Sequence, residues 1–204
     1  MSGAEIIGVV SAIIAILDAA VKVYDTVSDA SGLPLAFRDV ARRLPLVTET
    51  MQTVRQHLDS CNPDESVYKA VEPIADSCKD KASRLERIFR EVIPQESASR
   101  MQRYKLAFRT LGKGSLVESL MKGILDDVQL LAGNHIMKLG TEADLRRLAE
   151  ASDEVSTLPP SLPSNTWHGS INNHGSGFQN INTGSGRQIN NNGAGQQFIG
   201  GSFA

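Results

Sequence analysis

The chain has 204 residues, 21 Lys and Arg against 23 Asp and Glu, and a formal net charge of -2. That length allows one ordinary domain plus an appendage, and the charge balance excludes bulk nucleic-acid binding through a global basic excess. The two cysteines, Cys61 and Cys78, lack CxxC spacing or nearby histidines, so reduced structural thiols are expected rather than a metal or redox motif.

The N-terminal stretch MSGAEIIGVVSAIIAILDAA has no basic residues ahead of its apolar run, which argues against a secretory signal and for an intracellular protein. The run itself, residues 6–17, is twelve residues long, short of the roughly 20 that a membrane-spanning helix needs. Ser2 and Glu5 fit a capping box that opens a first helix ending near residue 28. Ile6, Val9, Ile13, Leu17, Ala20 and Tyr24 line one face, while Ile7, Val10 and Ile14 fill others. A helix apolar nearly all round is either central to a core or meant for lipid.

A second helix is predicted over 35–59, kinked at Pro45, and a third over 67–92 with Ile74, Cys78, Leu85, Ile88, Phe89 and Val92 inward and Pro73 bending its start. A fourth covers 98–111 and stops at Gly112. A fifth runs from a Ser115 cap over 115–139, with Leu116, Leu120, Ile124, Val128, Leu131 and His135 inward. Thr141 caps a short sixth helix. Alternating strand patterns are absent, and helices joined by short polar turns predict an all-α, antiparallel helical bundle.

Composition changes near Leu158. The stretch LPPSLPS carries three prolines that cannot continue a helix and favour extended backbone. The predicted organisation is a helical domain over 1–157, a Pro/Ser-rich linker over 158–170 and a repeat tail over 171–204.

No signature of an enzyme is present. GKGS at 112–115 precedes a helix, but a phosphate loop needs Gly where Ala107 stands and Ser or Thr where Gly114 stands. His57, His135, His168 and His174 are scattered without companion ligands, so no metal or cofactor is expected. In residues 99–114, Arg100, Arg103, Lys105 and Arg109 are candidate lipid-facing basic residues interleaved with Tyr104, Leu106, Phe108 and Leu111. The same pattern fits a solvated bundle helix.

The tail holds the clearest signal. The run NHGSGFQNINTGSGRQINNNGAGQQF contains no Lys, Asp or Glu and splits into nine-residue units. Asn173, Gly175, Gly177 and Gln179 recur as Asn182, Gly184, Gly186 and Gln188, then as Asn191, Gly193, Gly195 and Gln197, the last followed by Phe198. Nonapeptide repeats suggest stacked β-coils, and without Asp this one has no hard carboxylate for calcium. One copy cannot bury enough apolar surface to offset about 1–2 kcal/mol of backbone entropy per residue, so the monomeric tail is expected to be disordered. Stacked copies could pair every backbone group and align Asn and Gln ladders, with Gly supplying the turns and Arg187 the only basic charge to repel.

With these residues in view, the helical part resembles the fungal SesA-type domain found N-terminal on NACHT and P-loop NTPases, in LPLAFRDVARRLPLVTETMQ, SCKDKASRLERIFREVIP and RYKLAFRTLGKGSLVESLMKGILDDVQLLA. It is also HeLo-like. The tail resembles the sigma amyloid motif of fungal death-pathway proteins. The resemblance implies a cell-death effector of incompatibility or innate immunity, activated when a partner NLR/STAND NTPase or hydrolase with a similar motif templates its tail. It further implies self-assembly on activation and relocation from cytoplasm to plasma membrane, where the first helix engages lipid. Carried onto this chain, the membrane-interacting residues would be Ile6, Ile7, Val10, Ile13, Ile14 and Leu17. An adaptor or regulator of the same pathway, recruited through the tail without toxicity of its own, is the alternative.

Overall fold

The computed structural model describes residues 3–26, 32–61, 65–94, 98–112, 114–133 and 140–162, without the side chains of Cys61 and Ser66. Among them are seven helices and no strand: α1 (Gly3–Asp25), α2 (Leu35–Ala41), α3 (Leu44–Cys61), α4 (Glu65–Val92), α5 (Arg100–Leu111), α6 (Val117–Ala132) and α7 (Glu142–Ser156). They form the all-α bundle expected from the periodicity.

α4 is the pillar. It packs against α1 on one side, α6 on another and α5 near its C-terminal end, while α3 touches both α1 and α6 and α7 covers α6. Its sequence explains this role, because Val71, Ala75, Cys78, Ala82, Leu85, Ile88, Phe89 and Val92 are all buried and recur at helical spacing. Rings knit the middle of the bundle together. Phe37 of α2 stacks on Phe89 of α4 at 5.5 Å between centroids and meets the edge of Tyr104 of α5 at 4.9 Å. Such pairs are worth about 0.5–1.5 kcal/mol each beyond the area they bury.

Three local predictions differ from the structure. The expected single helix over 35–59 is two, interrupted at Arg42 and Arg43, and Pro45 is the second residue of α3 rather than a kink within a longer helix. The first turn needs no backbone donors, so proline is tolerated there. The predicted Ser115 cap is also displaced. Leu116 occupies the cap position of α6, and Ser115 is fully buried, accepting a hydrogen bond from Arg84 Nη2. Finally, the helix assigned to 115–139 ends at Ala132, with Gly133 as its C-cap; His135 and Lys113 lie outside the described residues. Ser2 of the expected capping box does as well, whereas Ser99 with Gln102 and Thr141 with Asp144 form complete capping boxes on α5 and α7.

The compact helical unit runs from Met1 to Ser164. The linker expected to start at residue 158 therefore does not begin as a free segment. Leu158 is half-buried, and Ser161 and Leu162 are buried against the bundle. The rest of that linker and the whole repeat tail, from Asn173 to Phe198, lie outside the described residues.

Candidate functional site

The residues expected to meet lipid on activation form the inward stripe of α1 in this bundle. Ile6, Val10, Ile13, Ile14 and Leu17 are buried, and Ile7 is half-buried. The outward face carries Ala4, Glu5, Gly8, Ala15 and Lys22. α1 nonetheless spans 23 residues and is apolar enough to cross a membrane by length and composition, because Ala19, Ala20, Val21 and Val23 extend the run beyond Asp18. A soluble core helix has the same composition, so in this bundle the apolar stripe is occupied by protein. Contact with lipid would require α1 to leave α3 and α4.

The basic stretch divides by role. Arg100 Nε donates to the Ile93 carbonyl at 3.2 Å, and Arg103 donates from Nη1 to the Glu91 carbonyl at 3.3 Å and from Nη2 to the Pro94 carbonyl. Arg103 thus satisfies an open carbonyl in the last turn of α4, and both guanidinium groups bind the carbonyls of the turn just after it, at the negative end of the helix dipole. They are structural caps. Lys105 is half-buried, and Arg109 and Leu106 are exposed on the outer face of α5, while Tyr104 and Phe108 point into the core. The four basic residues therefore do not form one surface.

A buried polar seam joins elements that no sequence pattern connected. The Tyr104 hydroxyl lies 2.6 Å from Ser161 Oγ and accepts a 3.1 Å hydrogen bond from the backbone N–H of Val117, the first residue of α6. The Ser161 N–H donates to Glu118 Oε1 at 3.0 Å, while Glu118 Oε2 is buried without a hydrogen-bond partner among the described residues. Tyr104, Ser161 and Glu118 are each buried, and Leu162 beside them is fully so. Burial pushes the Tyr104 phenol well above its ordinary pKa; the hydrogen bonds from Ser161 and Val117 oppose that and the Glu118 carboxylate adds to it. At neutral pH the phenol keeps its proton and can donate. Tyr104 looked like one of several aromatics in a basic helix, and Ser161 like part of a linker. Only the fold brings them together.

A second, part-buried polar contact crosses α4 and α6. Lys81 Nζ donates to Asp127 Oδ2 at 2.6 Å and to Ser77 Oγ at 2.8 Å. Gly123 makes room for it, since a Cβ there would fall 2.8 Å from Lys81 Cδ. The neighbouring Cys78 thiol is pushed up to about 12, first by burial and then by Asp127, with Lys81 opposing. A thiol so raised stays protonated and unreactive. The turn after α5 uses glycine at positive φ, with Gly112 at 85° and Gly114 at 89°. It is held by Arg84, whose Nη2 also donates to the Leu111 carbonyl at 3.3 Å.

No group of three or more His, Cys, Asp or Glu that could hold a metal occurs among the described residues. One open cleft of about 150 Å³ is lined by Tyr24, Leu33, Pro34, Leu35 and Arg38. Nothing in it combines a nucleophile with a base.

The fold and its contacts define a helical bundle whose C-terminal strap leads into a repeat tail of low charge. Residues 10–131 match the SesA family, described as the N-terminal domain on NACHT-NTPase and P-loop NTPases, and the chain belongs to that family. Residues 168–204 match a second model, the sigma domain on NACHT-NTPases, and this match contains the nine-residue repeat. Searches of curated proteins and of solved structures found no match.

Proposed function

We propose that this protein is an effector of a NACHT-type signalling pathway, switched by templated assembly of its tail. The observation that carries the reading is the period-nine recurrence of Asn, two Gly and Gln from Asn173 to Gln197, inside a segment matching the sigma domain. A segment too polar to fold singly gains every backbone hydrogen bond when identical copies stack, so it assembles in response to a template and not to a small ligand. The partner this favours is an NLR/STAND-type NTPase or an associated hydrolase bearing a similar repeat, because both matched domains are described as occurring on such NTPases. Self-association follows from the same stacking.

The output assigned to the bundle is cell death at the plasma membrane, to which the protein moves from the cytoplasm on activation. Support comes from the composition of α1, whose apolar stripe is long enough to enter a bilayer once released from the core. The reading includes no enzymatic step and no cofactor.

The test is co-expression in a fungal host of the full chain with an oligomerised copy of residues 165–204. Death that needs both the tail and α1 supports the effector reading. Recruitment of the chain into assemblies without death, for every oligomeriser tried, would replace it with the adaptor reading, in which the bundle binds a further protein.

A further inference from the structure

Between α7 and the tail, the chain does something a spacer has no need to do. After Ser156 it turns through Thr157 and runs back over the bundle, where Pro159 and Pro160 stay exposed while Ser161 and Leu162 are buried. Apart from the Leu158 N–H, which donates to the Val155 carbonyl of α7 at 3.1 Å, its polar contacts fall on one place, the seam between Tyr104 of α5 and the first residues of α6, Val117 and Glu118. We propose that residues 158–162 are a latch, whose docking seals the α5–α6 seam and whose release opens it when the tail assembles. The coupling to assembly rests on the function proposed above; the docking rests on contacts within the helical unit alone.

Three features suit a latch better than a permanent part of the core. First, little holds the strap: the fully buried Leu162, the half-buried Leu158 with its N–H on the Val155 carbonyl, and the hydrogen bonds made by Ser161. Pro159 and Pro160 have no N–H to contribute, so the segment adds no helix or strand ladder of its own. Second, the docked state leaves Glu118 Oε2 buried without a hydrogen-bond partner among the described residues, a cost that release to solvent removes. Third, Val117 N–H is one of the donors that an α-helix cannot satisfy internally, and Leu116 supplies no side-chain cap. Tyr104 takes that role, and Ser161 sits directly on Tyr104. Removing the strap therefore loosens the start of α6 locally, while Lys81–Asp127 continues to hold α6 to α4 further along.

Geometry supplies the force. Ten residues separate Leu162 from Asn173, a reach of roughly 35 Å when fully extended. A bundle of this length has a radius of gyration of about 15 Å and so a width near 40 Å. Stacked tails repeat every ~4.7 Å per layer. Bundles wider than that repeat must splay outward round the stack, which draws each tether taut, and freeing the strap adds length to it.

The experiment is amide hydrogen exchange on the full chain, soluble and after seeding with fibres of peptide 165–204. In the soluble chain, the amides of Ser161 and Val117 should be protected. Leu162→Asp should speed their exchange at least tenfold and leave the centre of α4, around Ala82 and Leu85, unchanged. Equal acceleration in α4 would overturn the latch, because the strap would then be inseparable from the core; no change at Val117 would overturn it as well. Ser161→Pro, which removes both the N–H donated to Glu118 and the hydroxyl against Tyr104, must speed exchange at Val117 in the same direction. In seeded fibres, the strap amides should lose protection. Fibres that keep the strap protected would refute the latch while sparing the assembly reading. Absence of fibres under seeding would refute the assembly reading and the coupling together, with the soluble-chain arm still deciding whether the strap is separately releasable.

Discussion

The Tyr104 hydroxyl on α5 lies 2.6 Å from the Ser161 hydroxyl, 57 residues along the chain, and at the same time caps the first N–H of α6. Replacing Tyr104 with Phe keeps the ring against Phe37 but strands two buried partners. Leaving buried groups unsatisfied costs about 1–3 kcal/mol, so urea unfolding of Y104F should show a loss in that range. Ser161→Ala alone should cost less. The two together should lose less than the sum of the single losses, because they share one hydrogen bond. An additive double mutant would mean that the hydroxyl pair is not coupled.

Lys81 and Asp127 make the corresponding prediction for α4 and α6. Their 2.6 Å contact is largely shielded, with side-chain exposures of 28% and 11%. Lys81→Met leaves a buried carboxylate unpaired, and the loss should approach the 3–5 kcal/mol typical of broken buried pairs, reduced by the remaining solvent access of Lys81. Adding Asp127→Leu should recover most of it. Thermal unfolding of the single and double variants checks this.

Alkaline pH offers a third test. The folded-state pKa of Cys78 stands near 12 against an ordinary value of 9.0. The protonated thiol is therefore the form the fold prefers, and its contribution is complete below pH 9 and lost as pH rises toward 12. The loss is at most about 1.4 kcal/mol per pH unit from this group. Stability measured from pH 8 to 11 should fall less steeply in Cys78→Ala. In the native chain at pH 8, peptide mapping after iodoacetamide should find Cys78 unmodified.

Substitutions on α1 separate folding from lipid contact. Leu17 is fully buried, and Leu17→Ala should cost about 2–5 kcal/mol. Ile13→Asp would unfold the bundle instead of reporting on a membrane. Informative changes lie on the outward face, at Gly8 and Ala15. Ala15→Glu should leave thermal stability within about 0.5 kcal/mol yet reduce killing if α1 inserts after release.

How much of this the sequence makes legible varies with the physics involved. Helices appear where apolar spacing is regular: Cys78, Leu85, Ile88, Phe89 and Val92 are read correctly because one stripe suffices to place them. α1 is ambiguous by nature, since Ile6, Val10, Ile13, Ile14 and Leu17 satisfy a protein core and a bilayer equally well, and only the partners α3 and α4 decide. Charge composition does not reveal that Arg100 and Arg103 bind carbonyls at and just beyond the end of α4. The Tyr104–Ser161 seam has no local signature at all. Proline content correctly ends the helix at α7 but says nothing about whether the extended segment beyond it docks.

Templated assembly of the tail is the claim on which the functional reading stands, and one measurement addresses it directly. Peptide 165–204, monomeric at the outset, should remain free of thioflavin signal through a long lag and then convert promptly when given preformed fibres of its own sequence. Conversion should fail in a variant with Gly175, Gly177, Gly184, Gly186, Gly193 and Gly195 replaced by Val, which cannot make the turns. A wild-type peptide that stays monomeric under sustained seeding, or a six-glycine variant that converts equally well, would contradict the account.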